Sequence, residues 1–142
     1  MLGFGESPLT IYLNDHLSGA TAGVELARRV TPAELADEID EDRDVLLDVM
    51  RRLSVGRDRA RIALGWGTEK LLRLKPGGRF EDLETLSLGV EGKLALWRAL
   101  HRVFGDDPRL QGIDLDALVA RAQSQRTRIE QQRLDAAGEA LA

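Results

Sequence analysis

The run VTPAELADEIDEDRDVLLDVMRRLS, residues 30–54, decides the fold class. Thr31-Pro32-Ala33-Glu34 reads as a helix start. The Thr31 hydroxyl can cap, Pro32 takes a first-turn position where its missing N–H costs nothing, and Glu34 can complete a capping box. Behind this start, Leu35, Ile39, Leu46, Val49, Met50 and Leu53 recur at helical spacing on one face, and Gly56 stops the helix just past Ser54. Whatever precedes Val30 must therefore be a separate helix folded back against this one.

Working outward, Leu9, Leu13, Leu17, Ala20, Val24 and Ala27 form one stripe of that preceding helix, which starts at Ser7-Pro8. Downstream, a helix is predicted from Asp58 to Leu74, with Ala60, Ala63, Leu64, Gly67, Leu71 and Leu74 inward, ended by Lys75-Pro76-Gly77-Gly78. The next, Asp82 to Phe104, carries Leu83, Leu86, Val90, Leu94, Trp97 and Leu100 on one side and Leu88, Gly92, Ala95, Leu96 and Ala99 on the other. Its polar arc is narrow, so it should be the most buried. Gly105-Asp106-Asp107-Pro108 breaks it, and a fifth helix capped by Asp114 carries Leu115, Leu118, Val119, Ala122 and Ile129. Three helices of about 33 Å and a fourth a turn or two shorter, all joined by short loops, make an all-α antiparallel four-helix bundle. The expected organisation is one domain: a core bundle over residues 8–104, and a fifth helix over 114–140 that packs alongside or reaches a second subunit.

Composition removes several chemistries. The 142 residues include no cysteine, which excludes a disulfide scaffold, a thiolate nucleophile and Cys-ligated metals, and only two histidines. No apolar run is long enough to span a bilayer and the N-terminus lacks the pattern of a signal peptide, so the expectation is a soluble cytoplasmic domain without a membrane partner. The net charge of −4 hides segregation: residues 1–50 hold 3 basic and 11 acidic side chains, residues 51–79 hold 9 and 2, and residues 80–142 hold 8 and 11. Helix dipoles account for the acidic start and basic end of the 32–54 helix but not for Arg51, Arg52, Arg57, Arg59 and Arg61 together. These form either an ion-paired bundle end or a patch for an anion. Overall acidity and the lack of aromatic interleaving argue against nucleic acid.

Residues that interrupt the apolar stripes carry the candidate chemistry. His16 breaks the stripe of the first helix and Asp42 that of the second; folding back at Val30-Thr31 brings them within a turn of each other. Glu69 and Glu91 fall near the same level. A layer of His16, Asp42, Glu69 and Glu91 matches the placement used by carboxylate-bridged metal proteins, and would take Fe, Mn or Zn. The plainer reading is a His16–Asp42 hydrogen bond that satisfies two buried polar groups. No Glu-x-x-His pair occurs, and His101 lies about 15 Å along its helix from this layer, where the C-terminal dipole favours it. No nucleophile motif, phosphate loop or dinucleotide fingerprint is present, so nothing points to an enzyme. Helix-interior glycines at 19, 23, 65, 67, 89 and 92 are read as points of close helix approach, with ligand access as the alternative.

Two stretches, Tyr12 to Ala27 (YLNDHLSGATAGVELA) and Leu86 to Trp97 (LSLGVEGKLALW), resemble a group of uncharacterised bacterial all-helical proteins of about this length with a ferritin-like arrangement. The likeness covers most of residues 9–104 and implies the fold without an activity. The chain departs from metal-binding ferritin-like proteins in lacking both Glu-x-x-His pairs and the long crossover. The expected function is a non-enzymatic bundle acting through protein–protein contacts. It would be a homodimer that uses the last helix or an exposed face of the 82–104 helix. The competing expectation is a degenerate metal- or small-ligand-binding bundle.

Overall fold

The computed structural model describes residues 6–58 and 78–142. These form four α-helices and no strand: α1 (Pro8–Val30), α2 (Ala33–Arg52), α3 (Arg79–Phe104) and α4 (Leu115–Leu141), with a single 3₁₀ turn at Pro108–Leu110 before α4. The all-α bundle is as expected. The helix predicted over 58–74 lies outside the described residues, apart from its first position. Among the described helices none is long and apolar enough to cross a membrane.

Local chemistry sets the helix ends. Ser7 accepts from the Thr10 N–H and Pro8 occupies the first turn of α1; Asp114 accepts from the Ala117 N–H and starts α4. Thr31 behaves differently from expectation. Its hydroxyl donates backward to the Ala27 carbonyl at 2.7 Å, so it closes α1, and α2 begins after Pro32 without a side-chain cap. At the other end of α2, Ser54 adopts φ +58°. The Val55 N–H bonds the Met50 carbonyl and the Ser54 N–H that of Arg51, the pair of bonds of a Schellman stop. The motif ends α2 at Arg52, two residues earlier than Gly56 alone implied.

Asn14, fully buried on α1, fixes the chain leaving that stop. Its amide donates to the Gly56 carbonyl (2.9 Å) and to Thr10, and its oxygen accepts from the Asp58 N–H (2.7 Å). Arg52 holds the same end of the bundle from the other side. It pairs with Asp48 at 3.0 Å and donates to the Gln111 carbonyl at 2.7 Å.

The C-terminal helix is a wall of the bundle: α3 and α4 form its most extensive pair, and α1 packs on both α2 and α3. Two apolar clusters fill the interior. Toward one end lie Leu13, Leu17, Leu46, Val49, Leu94, Trp97, Leu100 and Ala122. Toward the other lie Val24, Ala27, Leu35, Ile39, Leu83, Leu86, Val90, Ile129 and Ala136. Between them α2 contributes Asp42, α3 Lys93 and α4 Gln125, whereas α1 has only Ala20 and Gly23 between Leu17 and Val24. The core is thus divided by a polar belt with a gap on the α1 side.

Candidate ligand cavity

The belt is a network of ion pairs and hydrogen bonds across three helices. Asp42, with 2% of its side chain exposed, accepts from Lys93 Nζ at 2.7 Å and from Gln125 Nε2 at 2.8 Å on one oxygen. Its other oxygen meets Arg121 Nε at 3.2 Å. Lys93 also donates to the Gln125 carbonyl oxygen, and Gln125 to Glu38 at 3.0 Å. Arg128 completes the pairing of Glu38. Burial alone would raise the Glu38 carboxyl, but the hydrogen bonds from Arg128 and Gln125 and the charges of Arg128 and Arg121 prevail, and it sits below its ordinary value. Burial pulls the Lys93 ammonium below its ordinary value, against the opposing pull of Asp42. A buried ion pair is stabilised when further hydrogen bonds meet its remaining donors and acceptors, and Gln125 supplies one to each member here.

The expected mid-bundle layer exists with different members. Asp42 belongs to it, but its partners come from α3 and α4, and its oxygens are taken up by two cations and an amide. Among the described residues His16 makes no bond to Asp42; it stands edge-on to the Tyr12 ring, with centroids 4.6 Å apart. Glu91 lies on an exposed face and pairs with Arg126 at 3.0 Å. Glu69 lies outside the described residues. No group of three potential metal ligands occurs among the described residues. His101 sits in the last turn of α3 and contacts Asp116 at 3.1 Å, away from the belt. Of the arginine cluster, Arg51 and Arg52 both pair with Asp48 of their own helix. Arg57 is exposed, and Arg59 and Arg61 lie outside the described residues.

The gap beside the belt is a cavity of about 600 Å³ bounded by α1, α2 and α3. Leu26, Ile39, Leu46, Leu86, Val90, Leu96 and Trp97 give it an apolar wall. Asp42, Lys93, Arg43 and His16 add polar groups to its lining. Four helix-interior glycines, Gly19 and Gly23 of α1 and Gly89 and Gly92 of α3, line it as well. Among the described residues, a Cβ built at any of them meets nothing within 4 Å, so no described helix makes the close approach that the sequence suggested at these positions. Gly65 and Gly67 lie outside the described residues. Trp97 is 1% exposed, and its indole N–H has no hydrogen-bond partner. Comparison with family models, curated proteins and solved structures gives no match. The assignment of the cavity rests on its own chemistry.

Sequence reasoning missed Lys93 and Gln125, and the spacing held a signal for both. Leu86, Val90, Lys93, Trp97 and Leu100 follow the same alternating three- and four-residue rhythm as Leu35, Ile39, Asp42, Leu46 and Val49, so Lys93 occupies the seam of α3 as Asp42 occupies that of α2. Gln125 holds the matching place between Ala122 and Ile129. One polar residue at mid-seam on each of three helices is the sequence signature of this belt.

Burial lowers the pKa of His16, with Asp15 opposing, so the folded protein holds a neutral imidazole where the unfolded chain would protonate near pH 6.5. The folded state then binds fewer protons, and stability is full above that pH and declines below it. His16→Phe should flatten this decline. The check is the urea midpoint of both proteins at pH 7.5 and pH 5.5, and equal acid losses in the two would show that His16 carries none of it.

Proposed function

We propose that the bundle binds a small, largely apolar ligand in the α1–α2–α3 cavity, as a non-enzymatic carrier or sensor. In this reading a ferritin-like arrangement holds an organic molecule where its relatives in shape hold metal ions. The observation that carries it is that four helical glycines line the cavity and that, among the described residues, nothing stands in front of them. Each glycine costs up to about 1 kcal/mol against alanine in a helix interior. The packing of the described residues draws no benefit from that cost. The volume falls in the range of small-molecule sites, and an apolar wall with a few polar groups on one side is their usual chemistry.

Nile red, a neutral apolar fluorophore, tests the reading. Saturable binding at one site per chain is expected. Gly23→Leu with Gly92→Leu should weaken it about 10-fold or more by filling the cavity, since overpacking of this size costs roughly 1–3 kcal/mol. Absence of saturable binding, or binding that ignores both substitutions while far-ultraviolet circular dichroism stays native, overturns it.

A second reading, self-association through α3, has its own support. Leu88 is 76% and Val103 69% exposed, and at helical spacing they share a face with Ala95 and Ala99. Light scattering should then give a dimer that Leu88→Glu with Val103→Glu returns to monomer. A monomer at high concentration removes this reading and leaves the cavity untouched.

A further inference from the structure

The polar side of the cavity carries an imbalance that selects among apolar ligands. Asp42 is the acid buried at its centre, and its charge is already met by Lys93 and Arg121, with Gln125 hydrogen-bonded beside them. Lys93 has three ammonium hydrogens, of which two are spent on Asp42 and Gln125. Arg43, one residue after Asp42 on α2, is half-buried and lines the same space. Its Nε donates to the Thr21 hydroxyl at 3.0 Å, and no carboxylate among the described residues pairs with it. Four further guanidinium hydrogens remain for a ligand. His16 stands neutral on the α1 wall, with Asp15 beside it at the rim. Trp97 adds a buried indole N–H without a partner.

Among the described residues, Arg43 is thus a cation on the cavity without a paired carboxylate. An alcohol would use a donor but leave the Arg43 charge uncompensated. A quaternary ammonium would add a second positive charge beside Arg43 and Lys93. A planar carboxylate fits the guanidinium fork with two parallel hydrogen bonds and supplies the missing charge.

We infer that the ligand of this cavity is an amphipathic carboxylate, an apolar body lying along the glycine-lined wall with its carboxylate held by Arg43 and steadied by the free donor of Lys93. This rests on the cavity reading above, and the experiment separates the two. Decanoate, 1-decanol and decyltrimethylammonium compete for bound Nile red at pH 7.5 on the full chain. Decanoate should displace it about 10-fold more tightly than the alcohol, as expected for a charge-assisted pair, and the quaternary ammonium should be weakest. Arg43→Gln should bring decanoate down to the level of 1-decanol and leave 1-decanol unchanged; Arg43→Lys should recover part of the difference. Arg43 bonds only Thr21, so these variants keep the fold, which an unchanged melting temperature verifies.

Equal displacement by decanoate and 1-decanol, or decanoate binding that Arg43→Gln does not weaken, overturns the carboxylate assignment while the cavity stands. Preference for the quaternary ammonium overturns it as well. Failure of Nile red itself to bind removes the cavity reading and this inference together.

Discussion

Asp42→Ala should destabilise the protein by about 3–5 kcal/mol at pH 7, the cost of stranding a buried charge. The stranded group is Lys93. Arg121 retains Glu38 and Glu41 as partners when Asp42 is removed, and Gln125 retains Glu38. Lys93 retains only the Gln125 amide oxygen, with 13% of its side chain exposed. Its pKa, already pulled down by burial, loses the contribution of Asp42 that opposes the shift and falls further.

That gives the loss a sign with pH. A lysine whose folded pKa is depressed adds stability as pH rises from that pKa toward the unfolded value of about 10.4. The deficit of Asp42→Ala should therefore narrow between pH 7 and pH 9.5. Asp42→Ala combined with Lys93→Met should recover most of the loss, because replacing a buried pair by apolar groups is often neutral, and the double-mutant cycle reads the coupling directly. Urea unfolding of the four proteins at both pH values is the measurement. A single-mutant cost under about 1 kcal/mol would mean the belt is solvated and adds nothing to the core.

The belt also shows where sequence reading reaches and where it stops. Period and punctuation carry the helices: Ser7-Pro8, Asp114 and the apolar stripes place α1, α2, α3 and α4 to within a few residues. They fail at Thr31, because a threonine between two helices can close the first as well as open the second, and only the three-dimensional junction chooses. They also pick out Asp42 as a polar interruption of a seam. They cannot name its partner, since periodicity says which face of a helix turns inward but not which helix it meets.

Short connections favoured chain neighbours, so the expected layer was drawn from the first helices in order, and His16 was matched to Asp42. The bundle instead sets α4 across from α2, where Arg121, Gln125 and Arg128 reach Glu38 and Asp42 over a distance that long side chains can span. Gln125 and Arg121 stand in a stretch of α4 rich in Gln and Arg, where few apolar residues mark the inner face because that face is partly polar. The glycines are ambiguous for a related reason: a glycine on an apolar stripe looks the same in sequence whether a neighbouring backbone or an empty cavity stands in front of it.

Replacing Gly19, Gly23, Gly89 and Gly92 together by alanine separates those two situations with opposite signs. If the glycines admitted a neighbouring helix, four methyl groups would clash and the protein would weaken by several kcal/mol. Among the described residues no neighbouring side chain or helix stands within 4 Å of any of the four Cβ positions, so each alanine should keep its propensity gain of up to about 1 kcal/mol, and the quadruple variant should be roughly 2–4 kcal/mol more stable than the parent. For a domain of this size that is a rise of about 10 °C in Tm.

The gain should cost affinity, because the methyls at Gly23 and Gly92, half-buried positions of the cavity wall, project into the space the ligand needs. Gly138→Ala is the control. That glycine lies near the end of α4, off the cavity and equally unobstructed, so it should add stability and leave Nile red binding unchanged. Calorimetric Tm and Nile red titration of the parent, the quadruple variant and the control decide the matter. A quadruple variant that is less stable returns the glycines to helix packing. One that is more stable with undiminished binding separates the open space from the ligand. Only a gain in stability paired with a loss of binding is consistent with glycines that keep a cavity open for an occupant.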